Sequence, residues 1–269
     1  MSILNSVLVL GALGLIFGAI LAYASKKFAV DVDERVESII EVLPGANCGG
    51  CGFPGCGGLA NAIVEGKAAV NACPVGGEIC ATKIGDIMGV SSESEEKQVA
   101  KVLCKGNCKS AKDKYKYEGI QDCRSASMLN SGPKDCRFGC LGFGTCKEYC
   151  KFDAISVIDG LAIIDEEKCV MCGKCIEVCP KSIIHIKPAN KEVVVECSSE
   201  DFGKAVREKC SVGCIGCGLC KKACLFGAIE FENKIAKINY VKCVECMECV
   251  RKCPTKVIKG DISKNKKDN

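Results

Sequence analysis

The chain has 269 residues, a formal net charge of +4, and 26 cysteines, close to one residue in ten. Short secreted proteins reach that density as disulfide scaffolds, but this chain is too long and its cysteines fall at metal-ligand spacings, which points to a reducing compartment with iron holding the thiols. With no tryptophan and 5% aromatic residues, small modules are expected, stabilised by metal binding more than by apolar burial.

The N-terminal stretch Met1–Ser25 has no charged side chain, and residues 6–23 are almost wholly apolar. That is just long enough to cross a bilayer as one helix. Lys26 and Lys27 follow at once. Positive charge stays on the cytoplasmic side, so residues 1–27 are expected to anchor the chain in the cytoplasmic membrane, N-terminus outside and the rest in the cytoplasm. The rival reading is a signal peptide cut near Ala22-Tyr23-Ala24, although no Lys or Arg precedes the apolar run. Gly14, Gly18 and Ala22 recur every four residues. Such a stripe suits close approach of another membrane helix, while glycine is also simply common in such helices.

Residues 30–87 read as helix, cysteine-rich loop, helix and a closing Cys-Pro. Cys48, Cys51, Cys56 and Cys73 form the first candidate ligand set for a [4Fe-4S] cube. Surrounding glycines let the backbone fold tightly and aim N–H groups at sulfur. Zinc is the competing metal, but gaps of this kind are not paired knuckles. Cys80 is left over and reads as a small buried hydrophobe. Residues 88–131 read as a linker and cysteine-containing extension, opening with the polar run 91–98, which would let the N-terminal domain swing between partners.

Two modules are expected next, at 132–190 and 207–260, with a connector at 191–206 and a basic tail at 261–269. Cys169-x2-Cys172-x2-Cys175-x3-Cys179-Pro180 has the bacterial ferredoxin spacing, in which three close thiolates hold one cube and the fourth reaches its neighbour. In the second module this gives Cys214, Cys217, Cys220 with Cys253, and Cys243, Cys246, Cys249 with Cys224. In the first it gives Cys169, Cys172, Cys175 with Cys150. Between the runs, "DAISVIDGLAIIDEEKC" and "GAIEFENKIAKINYVKC" alternate as short hairpins do.

The first module breaks the pattern at Phe143, which stands where a cysteine is needed. Cys136, one helical turn upstream of Cys140, is the nearest substitute, so the expected set is Cys136, Cys140, Cys146 and Cys179. Five cubes are then expected. A sixth set would combine Cys104, Cys108 and Cys123 with Cys197 or Cys210, a choice the sequence leaves open. "VLCKGNC" aligns with "VECSS", each upstream of a ferredoxin run, which hints at duplication.

Each oxidised cube with its thiolates carries about −2, so five would bring the chain to about −6. Mild basicity of the bare chain therefore does not argue for nucleic acid. From residue 201 onward there are 15 Lys or Arg against 8 Asp or Glu. Part of this is a solvated tail; the rest would attract an acidic electron donor. His185 reads as a structural strand residue. No catalytic triad, phosphate loop or dinucleotide fingerprint is present.

One apolar helix, "NCGGCGFPGCGGLANAI", "GPKDCRFGCLGFGTC", "CVMCGKCIEVCPKSI" and "GCIGCGLC", in that order, resemble the B subunits of Rnf-type ion-translocating ferredoxin:NAD oxidoreductases over nearly the whole chain. The resemblance implies an α+β chain: a transmembrane helix, a small helical 4Fe-4S domain and two tandem 2[4Fe-4S] ferredoxin modules. It also implies an electron-transfer subunit of a translocase, with soluble ferredoxin as donor, other membrane and peripheral subunits as partners, and no NAD site on this chain. Electrons would arrive at the C-terminal modules and leave through the cluster nearest the bilayer. A polyferredoxin of another membrane redox complex and a zinc-ribbon interaction protein are the alternatives.

Overall fold

A computed structural model of the chain describes residues 2–27, 33–91 and 96–263. Helix α1 (Ser2–Lys27) is uninterrupted and ends on Lys26 and Lys27. It is long and apolar enough to cross a membrane, and none of its apolar window is buried against the rest of the chain.

Three helices, α2 (Glu34–Val42), α3 (Gly55–Val64) and α4 (Gly77–Met88), make the N-terminal cysteine domain. Asp33 opens α2, accepting the Arg35 N–H at 2.9 Å. Val36, Ile39 and Leu43 share one face at helical spacing. They are buried with Leu59 and Ile63 of α3 and Ile84 of α4. Gly89 ends α4 in the left-handed conformation that glycine adopts without strain. The cysteine loop lies between α2 and α3.

The first repeat contains β1 (Gln98–Val102), α5 (Cys123–Met128), α6 (Thr145–Glu148), β2 (Ile155–Ile158), β3 (Leu161–Ile164), α7 (Lys174–Val178) and β4 (Ile184–Pro188). The second contains β5 (Val194–Val195), α8 (Lys204–Lys209), α9 (Leu219–Ala223), β6 (Ile229–Glu232), β7 (Ile235–Ile238), α10 (Glu248–Lys252) and β8 (Ile258–Lys259). Each repeat has an inner hairpin, β2–β3 or β6–β7, and an outer antiparallel pair, β1–β4 or β5–β8. The two expected hairpins are therefore present.

Residues 98–131 do not stand outside module 1 as an extension. Val99, Ala100 and Val102 of β1 are buried with Ile155, Ile164 and Ile184, so the module's core cannot close without them. Gln98 already belongs to β1, and residues 92–95 of the polar run lie outside the described residues, as do 264–269 of the tail.

Each cysteine run is shaped by the same backbone device. The second residue after the leading cysteine is left-handed: Gly142, Met171, Gly216 and Glu245. So is the fourth: Gly144, Gly173, Gly218 and Met247. Successive N–H groups turned inward this way make an anion-binding concavity. Glu245 is further tied to the segment leading into β5, its carboxylate accepting the Val193 N–H at 3.1 Å.

The modules are joined along a seam. Ser198 donates to the Leu103 carbonyl at 3.0 Å, and Lys112 N–H to the Lys209 carbonyl at 2.9 Å. Buried Lys101 and Lys187 share Glu166, and Lys101 also reaches Glu196.

Candidate metal centres

Four cavities of similar size sit inside the two modules, each walled by four cysteines. Cys150, Cys169, Cys172 and Cys175 line one of about 350 Å³. Cys214, Cys217, Cys220 and Cys253 line one of about 320 Å³, and Cys224, Cys243, Cys246 and Cys249 one of about 350 Å³. These groupings are the ones expected from the spacing. In all three, a cysteine from one run completes the cavity of the other.

The fourth cavity departs from expectation. Cys140, Cys146 and Cys179 line it, at about 360 Å³, but the fourth cysteine is Cys123 and not Cys136. The reason is local and specific. Asp122 caps α5 by accepting the Ser125 N–H at 2.7 Å. The Thr145 hydroxyl donates to Asp122 at 2.7 Å and accepts the Cys123 N–H at 2.8 Å. Thr145 is buried at the head of α6, next to Cys146. Two bonds through one hydroxyl thus hold Cys123 beside the Cys146 thiol.

Cys136 lies elsewhere. With Cys104, Cys197 and Cys210 it lines a cavity of about 470 Å³ at the seam between modules. The expected sixth set is revised accordingly: Cys123 belongs to the module 1 cavity, and Cys108 is exposed and lines none of the five cavities. Both Cys197 and Cys210, offered as alternatives, line the seam.

In the N-terminal domain Cys51, Cys56 and Cys73 lie close together, and Cys48 is in the same loop. The Cys73 sulfur accepts the Gly76 N–H at 3.3 Å. A Cβ on Gly76 would meet the Cys80 sulfur at 2.6 Å, so only glycine fits there. Cys80 is buried in the helical core, donating to the Val42 carbonyl at 3.6 Å. His185 is an exposed residue of β4, its ring nitrogen 3.2 Å from the Ser182 carbonyl.

Burial pushes the Cys146, Cys175 and Cys249 thiols up to about 12, and neighbouring thiols add to the rise. Cys220 is raised to about 11 for the same reasons. Such groups ionise only when a cation takes the place of their protons. Backbone N–H groups also aim at the sulfurs, as Ala100 does at Cys169 and Ala228 at Cys224, at 3.4 and 3.3 Å. Four thiols to each cavity and N–H donors aimed at sulfur fit cubes.

The thiols of neighbouring quartets influence one another. Cys249 feels the charge of Cys220, and Cys197 that of both Cys214 and Cys104. Cys140 feels Cys104, and Cys146 feels Cys175. Cys172 feels Cys48 of the N-terminal domain, where Gly50 packs so closely that an added Cβ would lie 2.9 Å from the Cys172 carbonyl oxygen.

Comparison with known proteins agrees with this architecture. Residues 43–75 match an Fe-S cluster family, 162–185 a 4Fe-4S binding domain, and 213–259 a 4Fe-4S dicluster domain. The chain is 52% identical over 268 residues to the B subunit of the Na(+)-translocating ferredoxin:NAD(+) oxidoreductase complex of Acetobacterium woodii, covering 98% of this chain and 80% of that one. The chain belongs to this family of B subunits. It is also 42% identical to the B subunit of the ion-translocating oxidoreductase complex of Methanosarcina acetivorans, covering 95% of this chain and 97% of that one. To the B subunit of the proton-translocating ferredoxin:NAD(+) oxidoreductase complex of Clostridium ljungdahlii it is 43% identical, covering 97% and 94%.

Proposed function

We propose that this Rnf-type protein takes electrons from a reduced soluble ferredoxin at its C-terminal module and relays them to the N-terminal quartet beside the membrane helix. It would do so within an ion-translocating ferredoxin:NAD oxidoreductase complex, in contact with the other subunits. Five cubes are assigned to the N-terminal quartet and to the four module cavities, with Cys123 as the ligand that replaces the expected Cys136. A [4Fe-4S] cube supplies one-electron transfer without bond chemistry in the substrate. The chain's own residues supply thiolates, N–H donors, a low-dielectric wall and spacing. Lys26 and Lys27 hold the cysteine domains on the cytoplasmic side, with the N-terminus outside.

The observation that carries this reading is the series of four-thiol cavities in the two modules, the last of which, at Cys172, is packed against Gly50 of the N-terminal cysteine domain. Its C-terminal end also suits a donor. Leu225 is 87% and Val241 97% exposed beside that end, with Phe226 and Val244 on the rim of the cavity. Lys221, Lys222 and Lys242 stand exposed around them. An apolar centre ringed by lysines fits an acidic redox protein.

The test is ferredoxin-dependent NAD reduction by the anoxically purified complex. Reversing Lys221, Lys222 and Lys242 to Glu should raise the ferredoxin KM by about tenfold at low salt. Equal KM values for variant and parent, at low and high salt, would remove this docking face. Running the assay with and without sodium identifies the coupling ion.

A further inference from the structure

The two modules repeat at a constant offset: Cys140 returns as Cys214, Cys146 as Cys220 and Cys179 as Cys253. At the same offset two positive charges do not return. Lys134 of module 1 becomes Glu208, and Lys181 becomes Thr255.

Lys134 is 4% exposed, and its ammonium donates to the Gly106 and Gly160 carbonyls at 2.8 and 3.2 Å. Two other buried lysines, Lys101 and Lys187, share the Glu166 carboxylate. Among the described residues no carboxylate pairs with Lys134. A buried cation is costly unless an anion nearby offsets it.

The backbone places that cation against the Cys140 loop. Gly160 turns the β2–β3 hairpin, and its carbonyl lies over the loop: a Cβ on Gly142 would stand 2.3 Å from that oxygen. One carbonyl therefore separates the ammonium from the turn that carries Cys140 and Cys146. Module 2 builds the same contact, with a Cβ on Gly216 standing 3.3 Å from the Lys234 carbonyl oxygen. There the counterpart of Lys134 faces solvent. Glu208 is exposed and pairs with Lys204 along α8 at 3.6 Å.

Lys181 adds a second cation. It lines the module 1 cavity directly, its ammonium held by the Ser131 and Arg137 carbonyls at 2.6 and 2.8 Å. Thr255 lines the module 2 cavity at the same point without charge. Lys134 acts on the Cys140 thiol, and Lys181 interacts with Cys123 and Cys179. Asp122 opposes the two lysines, but its carboxylate caps α5 at a partly exposed position, where solvent screens it. Lys221 and Lys222 beside Cys220 are exposed and are screened in the same way.

Reduction of a cube adds one negative charge and makes or breaks no bond in the protein. A fixed cation in a low-dielectric wall favours the more negative form and so raises the potential. We propose that Lys134 and Lys181 set the centre held by Cys123, Cys140, Cys146 and Cys179 at a higher reduction potential than its module 2 twin. The electron lost when the module 2 centre is oxidised then reduces the module 1 centre downhill, away from the docking face. The proposal deepens the electron-relay reading and rests on it.

The test is an EPR-monitored redox titration of the full chain, purified anoxically in detergent. The module 1 signal is the one lost in Cys123→Ser, and the module 2 signal the one lost in Cys217→Ser. In the parent, module 1 should titrate at the higher potential. In Lys134→Met the ratio of reduced to oxidised module 1 centre at a fixed potential should fall about tenfold, a midpoint about 59 mV lower for one electron. Lys134→Arg should return the midpoint towards the parent value, and Lys181→Met should move it in the same direction as Lys134→Met. The module 2 midpoint should stay in place throughout, with iron content equal to the parent's. Module 1 midpoints unmoved in both Met variants, or equal shifts in the two modules, overturn the proposal. Should the Met variants fail to accumulate, the parent decides, since a module 1 midpoint at or below that of module 2 also overturns it. Absence of all acid-labile sulfide from the parent would instead bring down the relay reading itself.

Discussion

Module 1 and module 2 share a fold, a residue offset and four equivalent left-handed turns, yet they fill one position differently. Module 2 draws Cys214, Cys217 and Cys220 from a single loop. Module 1 has Phe143 at the middle position, its ring 5.3 Å from that of Tyr117, and takes Cys123 from α5. A cavity's fourth thiol is defined by where its sulfur stands, and a separate helix can deliver it when a cap and one buried hydroxyl fix that helix.

The most direct way to break this comparison is to remove the imported residue. Cys123→Ser should cost module 1 about four irons per chain and reduce ferredoxin-dependent NAD reduction to near background. Adding Phe143→Cys to that variant would give module 1 the ligand pattern of module 2. Iron and activity should then return together. Failure of the double variant to regain iron would show that Phe143 and Cys217 do not occupy equivalent points around their cavities.

A second difference concerns what covers each module's far end. Cys172 in module 1 is covered by Gly50 of the N-terminal domain. Its counterpart in module 2, Cys246, borders a cavity whose rim carries exposed Val244. Gly50→Val must push the N-terminal domain off Cys172. Stopped-flow transfer to the N-terminal centre should slow by up to about 100-fold, with iron content unchanged. An unaltered rate would mean that the close approach at Gly50 does not set the transfer distance.

The hairpins, the runs whose cysteines complete one another's cavities and the helical N-terminal domain were all readable from local pattern. Period-2 alternation and fixed cysteine gaps encode them within a few residues. The exchange of Cys123 and Cys136 was not, because Asp122 and Thr145 meet only after folding. A signal did exist. Cys136 and Cys210 stand at the same position in the two repeats, and in module 2 that position is not needed by the Cys214 set. Proximity to Phe143 pointed the other way, since one helical turn in sequence is a weaker guide than equivalence between repeats. Likewise, β1 looked like part of a linker because five residues carry little pattern of their own; its place is set by pairing with β4.

Thr145 gives a smaller effect of the same kind. Its counterpart in module 2 is Leu219, which is partly exposed and supports no imported ligand. Thr145→Val should take one of the Asp122 carboxylate's bonds, leaving it the Ser125 N–H, and strand the Cys123 N–H. The expected cost is about 1–3 kcal/mol, read as faster iron loss from module 1 on mild chelation. Leu219→Thr should leave module 2 unchanged. Equal chelation rates for Thr145→Val and the parent would show that α5 is held by other contacts.

The smallest difference lies at Glu166, which aligns with Tyr240 of module 2. Burial pushes the Glu166 carboxyl up, but the Lys187 hydrogen bond at 2.7 Å and the charges of Lys187 and Lys101 outweigh it, so the carboxyl is held below its ordinary 4.5. A carboxyl depressed in the folded state stabilises it above the unfolded value, and that contribution is lost as pH falls through the folded value. Glu166 is one-third exposed, so screening limits the contribution to about 1 kcal/mol or less. Lys187 also keeps its bond to the Lys191 carbonyl at 2.7 Å when Glu166 is neutral. Thermal unfolding of the holo-chain near pH 7 should therefore place Glu166→Gln slightly below the parent. The gap should close as pH falls below 4.5, because the parent then loses the same charge. A gap that stays constant through that range would mean that Glu166 stabilises the seam through packing and not through its charge.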